Sequence, residues 1–244
     1  AAFSLEWQQT SGPRGTSVGD WPARDLAFGV PSPSRAATAS AWAAAVTPCV
    51  GTEVVGAMWS DYSPWHQVVS TLAAVGAPTR AWMNAVLVVT MLALVALAVT
   101  WPGAGVLGRS FLAASAVGVG FAVALPFPAP DVDTGAHTAA VTVAMVMLGF
   151  APIAACTPWR RGQWSLRWQT LVPATAVLIV LGLTFLANWL HKTSVMGVVE
   201  RVFVAAEMAC LVWTVRASQR MRTHAADECA EQSTVKEFSR SDAG

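Results

Sequence analysis

The chain has 244 residues, 55% of them hydrophobic and 12% charged, with a formal net charge of +1. An average soluble domain carries about 25% charged residues, so this chain has too few to cover a water-facing surface. The near-neutral balance gives no footing for nucleic acid or any other polyanionic partner.

Residues 1–37 are rich in Gly, Ser, Pro and Arg, without a continuous apolar run. They read as a disordered cytoplasmic arm with no signal peptide. Six apolar stretches follow, at 39–58, 81–101, 109–127, 136–156, 169–190 and 195–217. Each approaches the roughly 20 apolar residues that cross a bilayer as a helix. The first carries Pro48 and Glu53, and its regularity around Pro48 is left open. The second holds the run LVVTMLALVALAVTW. In the third, Ala114 and Gly118 share a face and, with Gly120, allow close backbone approach, as do Ala43, Ala44 and Ala45 in the first. Most connections are short, so consecutive helices should be antiparallel neighbours. Residues 218–244 are polar and mixed in charge, a solvated cytoplasmic tail able to continue the last helix for a few turns. The fold class expected is therefore all-α, a polytopic membrane bundle of six transmembrane helices over 38–217.

Basic residues orient such a bundle. With the N-terminus inside, the cytoplasmic segments hold Arg24, Arg35, Arg109, Arg160, Arg161, Arg167, Arg216, Arg220 and Arg222, against only Arg80 and Lys192 outside. Both termini are then cytoplasmic. The twelve Trp against a single Tyr suit a bilayer, because indole rings favour the headgroup region. Trp101, Trp159, Trp164, Trp168 and Trp213 would form the inner belt, and Trp59, Trp65, Trp82 and Trp189 the outer. Cys49, Cys156, Cys210 and Cys229 form no CxxC pair and read as small core residues rather than a disulfide framework.

This topology gathers polar residues on the extracytoplasmic side. The first outer loop holds Asp61, Tyr62, Ser63, His66 and Ser70, and its VVSTLAAVG pattern suggests a short amphipathic helix in the interface. Asn84 opens the second helix. Asp131 and Asp133 precede His137 and favour the N-terminus of the fourth helix. Glu200 and Arg201 lie near the start of the last helix, and Glu207, seven residues on, shares a face with Glu200. Charges inside a bilayer cost at least about 2.5–3.5 kcal/mol and seek partners in the bundle interior. Arg201 is expected to pair with Asp61 or Asp131, and Glu200 with His137, Asn84 or Ser70. Such contacts serve either to fix helix packing or to build a substrate or proton site, and both roles stand open.

His66, His137 and His191 are the residues a zinc site would draw on, but their loop-to-loop spacing matches no compact motif and no metal is assigned. Haem ligation has less support, since no two histidines occupy facing helix interiors. There is no phosphate-cradling loop, GxSxG elbow or CxxCH, and no cofactor is implied.

Three short patterns in order carry a family resemblance. Tyr62, Ser63 and Pro64 are followed by Ser70, Gly76, Ala77 and Asn84; Phe127 and Pro128 by Asp131 or Asp133 and His137; and Gly197 by Glu200 and Arg201. Together they resemble the bacterial and archaeal membrane family known as domain of unknown function 998. The resemblance spans roughly 38–217 and implies a multi-pass protein of the bacterial plasma membrane, with no reaction attached. Glu53 and Glu207 fall outside its pattern, so it implies no site role for them.

Three functions compete. One is a non-enzymatic accessory or lipid- or small-molecule-binding bundle, with membrane lipids and other membrane subunits as partners. The second is an intramembrane enzyme acting on lipid-linked or envelope substrates at the outer leaflet, which needs Glu200, Arg201, His137, Asp61 and Asn84 to converge. The third is a small proton-coupled transporter, which needs a polar path continuing past Glu207.

Overall fold

The computed structural model describes residues 35–125, 127, 135–155, 164–191 and 193–241. Their regular structure is all helical: α1 (Arg35–Ala57), α2 (Arg80–Thr100), α3 (Gly105–Ala124), α4 (Gly135–Ala155), α5 (Trp164–His191) and α6 (Met196–Ser241), with short 3-10 segments at Val69–Ala73 and Pro102–Ala104. The expected arm at 1–37 lies outside the described residues except for its last three, which already belong to α1. Helix α1 runs unbroken through Pro48. Helix α6 continues as far as Ser241, so the described part of the polar tail is helix well beyond the few turns expected.

Among the described residues, four helical stretches are long and apolar enough to cross a membrane: Arg80–Thr100, Pro102–Ala124, Gly135–Ala155 and Leu171–His191. The two other helices are diluted by polar residues, Glu53 in α1 and Glu200, Arg201 and Glu207 in α6. Those residues face one another or a shared cavity.

Helices α1, α2, α3, α4 and α6 pack as successive neighbours and close a ring, since α6 returns to contact α1. Helix α5 packs on the outside of this ring against α6 and α4. Its span buries 11% of its residues, against 28–33% for the other three. The closest seam joins α3 to α4. A Cβ on Gly118 would lie 2.9 Å from both the Ala140 carbonyl oxygen and the Ala144 amide nitrogen. Beside it, the Ser115 hydroxyl donates to the Ala144 carbonyl at 2.9 Å. The seam therefore runs through Ser115 and Gly118, with Ala114 only half-buried. Backbone contact and a cross-helix hydrogen bond hold it without bulky side chains.

Two apolar layers cap the ring. At the end where α1 begins, Leu97, Trp101, Leu112, Ala151, Leu211 and Val215 form a large core. Trp101 is fully buried in it, its indole nitrogen without a hydrogen-bond partner among the described residues. It is thus core rather than an interfacial belt residue. Trp65, Trp82 and Trp213 are exposed at 61%, 59% and 41%, as belt residues would be. At the same end the Arg109 Nε donates to the Ala98 carbonyl at 2.6 Å, serving one of the last-turn carbonyls that α2 cannot pair internally. The opposite, loop-rich end is capped by a smaller layer of Val55, Tyr62, Leu72, Ala73 and Met83.

Candidate functional site

The loop between α1 and α2 does not lie flat as an amphipathic helix. It folds over the ring, and its one helical turn, Val69–Ala73, buries Thr71, Leu72 and Ala73. Polar bonds draw it inward. The Val69 amide donates to Glu200 Oε2 at 2.7 Å, the Thr79 hydroxyl to the Leu72 carbonyl at 3.0 Å, and the Val75 amide to the Phe127 carbonyl at 2.9 Å.

Arg201 latches this loop to α6. Its Nη2 donates to the Tyr62 hydroxyl at 2.5 Å, and its Nη1 to the Pro64 and Gly197 carbonyls, both at 3.0 Å. Its Nε pairs with Glu53 Oε1 at 2.7 Å. The guanidinium also lies 5.5 Å from the centre of the Tyr62 ring, within cation–π range. Burial pushes the Tyr62 phenol above its ordinary value, against the opposing pull of Arg201. The hydroxyl therefore keeps its proton and can donate to the Gln67 or Val68 carbonyl, at 3.3 and 3.4 Å. Gly197 makes the close approach possible, because a Cβ there would overlap the carbonyl oxygens of Pro64 and Gln67. Its amide donates to the Trp65 carbonyl at 3.1 Å.

Beneath the loop lies a cavity of about 410 Å³, lined by α1, α2, α3, α4, α6 and the Val69–Ala73 turn. Its wall is mostly apolar. At the loop end stand Glu200, Ser70 and His137. His137 Nδ1 lies 2.8 Å from the Leu125 carbonyl, which can only accept, so Nδ1 carries a proton. Its Nε2, 3.3 Å from the Ser70 hydroxyl, accepts from that hydroxyl when the ring is neutral. The Phe127 ring packs edge-on against the imidazole at 5.1 Å. Deeper in, Glu207 also lines the cavity; it is 2% exposed, and neither carboxyl oxygen has a partner among the described residues. Glu53 and Val202, each about half exposed, border the cavity where it reaches the surface between α1 and α6.

Of the expected constellation, Ser70, His137, Glu200 and Arg201 are brought to this one cavity. Several expected pairings are different. Arg201 takes Glu53 and Tyr62 in place of Asp61, which is exposed and contacted by Ser60 at 3.4 Å. Glu200 takes the Val69 amide, while His137 takes Ser70. Asn84 is half-buried but does not line the cavity. The Ser63 amide is taken by the Gln67 side chain at 2.8 Å. His66 binds the Ser194 carbonyl on the exposed rim, and His191 is exposed at the end of α5. These histidines therefore do not meet, and among the described residues no three His, Cys, Asp or Glu side chains form a metal-ligand set. Asp131 and Asp133 lie outside the described residues.

Glu53 and Glu207 reach the cavity although no short motif marks them. The seven-residue step from Glu200 to Glu207 was a legible signal for the second, since it returns to the same helix face. For Glu53 the sequence offers only a carboxylate inside an apolar stretch.

No curated protein and no solved structure matches this chain. The family described as "Protein of unknown function (DUF998)" matches residues 40–217, which takes in the latch, the cavity and all or part of each of the six helices. Matched across the whole ring, the chain belongs to that family.

Proposed function

We propose that this chain is a multi-pass protein of the bacterial plasma membrane, with six spans and both termini cytoplasmic, that binds a lipid or small amphiphile inside its helical ring. The cavity carries this reading. Its volume of about 410 Å³ falls in the range of small-molecule sites, and a largely apolar wall with a few placed polar groups is their usual chemistry. Four span-length apolar helices support the membrane setting, and the arginine distribution supports the orientation. An opening between α1 and α6 at the depth of Glu53 would face lipid, so entry from the bilayer follows naturally.

The two competing functions draw less support. An enzyme site needed Asp61 and Asn84 at the cavity, and neither lines it. A proton-coupled transporter needed a polar path continuing past Glu207, where Leu211, Val215, Leu97 and Trp101 pack together and the buried Thr214 hydroxyl bonds back to the Cys210 carbonyl.

Photolabelling with a diazirine analogue of decanol tests the proposal on the full chain in a non-ionic detergent. Label should concentrate on cavity residues such as Met145 and Val204, and Val141→Trp should abolish it by filling the space. Label confined to outward residues such as Val99 and Leu183, which are 64% and 60% exposed, would overturn the reading.

A further inference from the structure

Among the described residues, three carboxyl side chains reach the cavity, Glu53, Glu200 and Glu207, together with a single guanidinium, Arg201. Their local partners divide them sharply. Glu53 has Arg201 at 2.7 Å, and Glu200 has the Val69 amide at 2.7 Å. Glu207 has neither a cation nor a donor among the described residues, although it is 98% buried by its 2% exposure. Arg201 cannot be spared for it, since that guanidinium is spread over Glu53, Tyr62 and the Pro64 and Gly197 carbonyls. His137 is likewise engaged on both ring nitrogens, by the Leu125 carbonyl and the Ser70 hydroxyl.

Neither form of the Glu207 carboxyl is satisfied by its surroundings. As an anion it lacks a counter-charge, and a buried unpaired charge costs several kcal/mol. As an acid it has an O–H with nothing to donate to. The fold nevertheless makes room for it. Gly149 on α4 faces the carboxyl, and a Cβ there would come within 3.1 Å of Glu207 Oε1. The mostly apolar wall thus carries, at its deep end, a buried carboxyl with no protein partner among the described residues, which a ligand's donor can complete.

We infer that Glu207 is a recognition site for a cationic amphiphile, whose protonated amine docks against the Glu207 carboxylate while its apolar body lies along the cavity wall towards Glu53 and Val202. This rests on the cavity reading above and adds the charge of the occupant. The geometry favours an organic cation over a bare metal ion. A metal ion needs several ligands at once, and no such group forms among the described residues. An alkylammonium needs one counter-charge and an apolar surface, and the cavity offers both. The helical rise of about 1.5 Å per residue sets Glu207 roughly 10 Å along α6 from Glu200, so the amine would sit at the deep end of the ligand.

The experiment is competition against the diazirine–decanol label by decylamine and by decanol, on the full chain in a non-ionic detergent at neutral pH. Decylamine should compete at about tenfold lower concentration than decanol, the equivalent of about 1.4 kcal/mol. Glu207→Gln should bring the two within about twofold of each other while decanol competition stays as it was. Equal competition in the wild type, or an amine preference that survives Glu207→Gln, overturns the role of Glu207 and leaves the cavity reading standing. Failure of both compounds to compete removes the cavity reading and this inference with it. Should Glu207→Gln not fold, the wild type decides through dicyclohexylcarbodiimide, a hydrophobic reagent for buried carboxyls. Decylamine should protect Glu207 from it at lower concentration than decanol, and equal or absent protection by the amine refutes the inference.

Discussion

Replacing Arg201 by Met keeps most of the aliphatic volume and removes only the guanidinium. The loss is the Tyr62 bond at 2.5 Å, the Pro64 and Gly197 carbonyl bonds at 3.0 Å, and the Glu53 pair at 2.7 Å. These do not count equally. The Arg201 side chain is 15% exposed but Glu53 is 53% exposed, and Glu53 lies little more than a turn from the end of α1. Its carboxylate can reach headgroup water by itself, so the ion pair should behave as an exposed one, worth under about 1 kcal/mol. The tyrosine and carbonyl bonds are charge-assisted and sheltered, about 1.5–3 kcal/mol each, and they share one guanidinium and so are not additive. The total for Arg201→Met should be about 3–5 kcal/mol. Unfolding of the full chain in mixed detergent can be measured for Arg201→Met, Glu53→Gln, Tyr62→Phe and the two doubles that pair Arg201 with each partner. Coupling of Arg201 to Tyr62 should exceed its coupling to Glu53. A single-variant loss below about 1 kcal/mol, or a Glu53 coupling that accounts for most of it, would refute the latch as described.

Other substitutions probe the same physics. Gly197→Ala should lower stability by about 1–3 kcal/mol, since its methyl meets backbone carbonyls that cannot rotate away, and hydrogen exchange should rise over residues 63–68. Gly135→Ala, which meets nothing within 4 Å, is the control that should leave unfolding unchanged. Glu207→Met should raise thermal stability in the empty protein, by about 1–3 kcal/mol, because it replaces an unsatisfied buried carboxyl with an apolar side chain; a fall would mean the carboxyl has a partner the geometry does not reveal. Single-Trp variants should show Trp101 shielded from an aqueous fluorescence quencher and Trp65 open to it, and equal quenching would contradict the buried placement of Trp101.

Much of the architecture is legible in the sequence. Apolar runs of span length and short connections dictate an antiparallel helical bundle, because unpaired backbone cannot be left in an apolar medium. The elements begin and end within a few residues of the apolar stretches, apart from α6, whose polar tail keeps its helical hydrogen bonds to Ser241. Ser70, His137, Glu200 and Arg201 were legible as part of a larger outer group that also held Asp61 and Asn84, which do not line the cavity, since polar residues at one depth of a bundle must find each other or water. Their partners were not. Adjacent residues on a helix diverge by about 100°, so Glu200 and Arg201 had to turn to different neighbours, and which neighbours depends on how far the α1–α2 loop folds inward. That fold is decided by backbone groups, the Val69 amide and the Pro64 and Gln67 carbonyls, which every sequence carries and none advertises.

The apolar patterning of the chain by itself determined an all-helical bundle with its polar groups biased to one end, because hydropathy and helical period are properties of single segments. Only the tertiary structure decided that Arg201 would choose Glu53 and Tyr62 over Asp61, and that five helices would close on a cavity and leave α5 outside. It also left the Glu207 carboxyl without a hydrogen-bond partner among the described residues. Those outcomes depend on the relative rotation and approach of whole helices, set by contacts such as Gly118 of α3 against α4 and Gly197 under the loop, which a one-dimensional pattern does not contain.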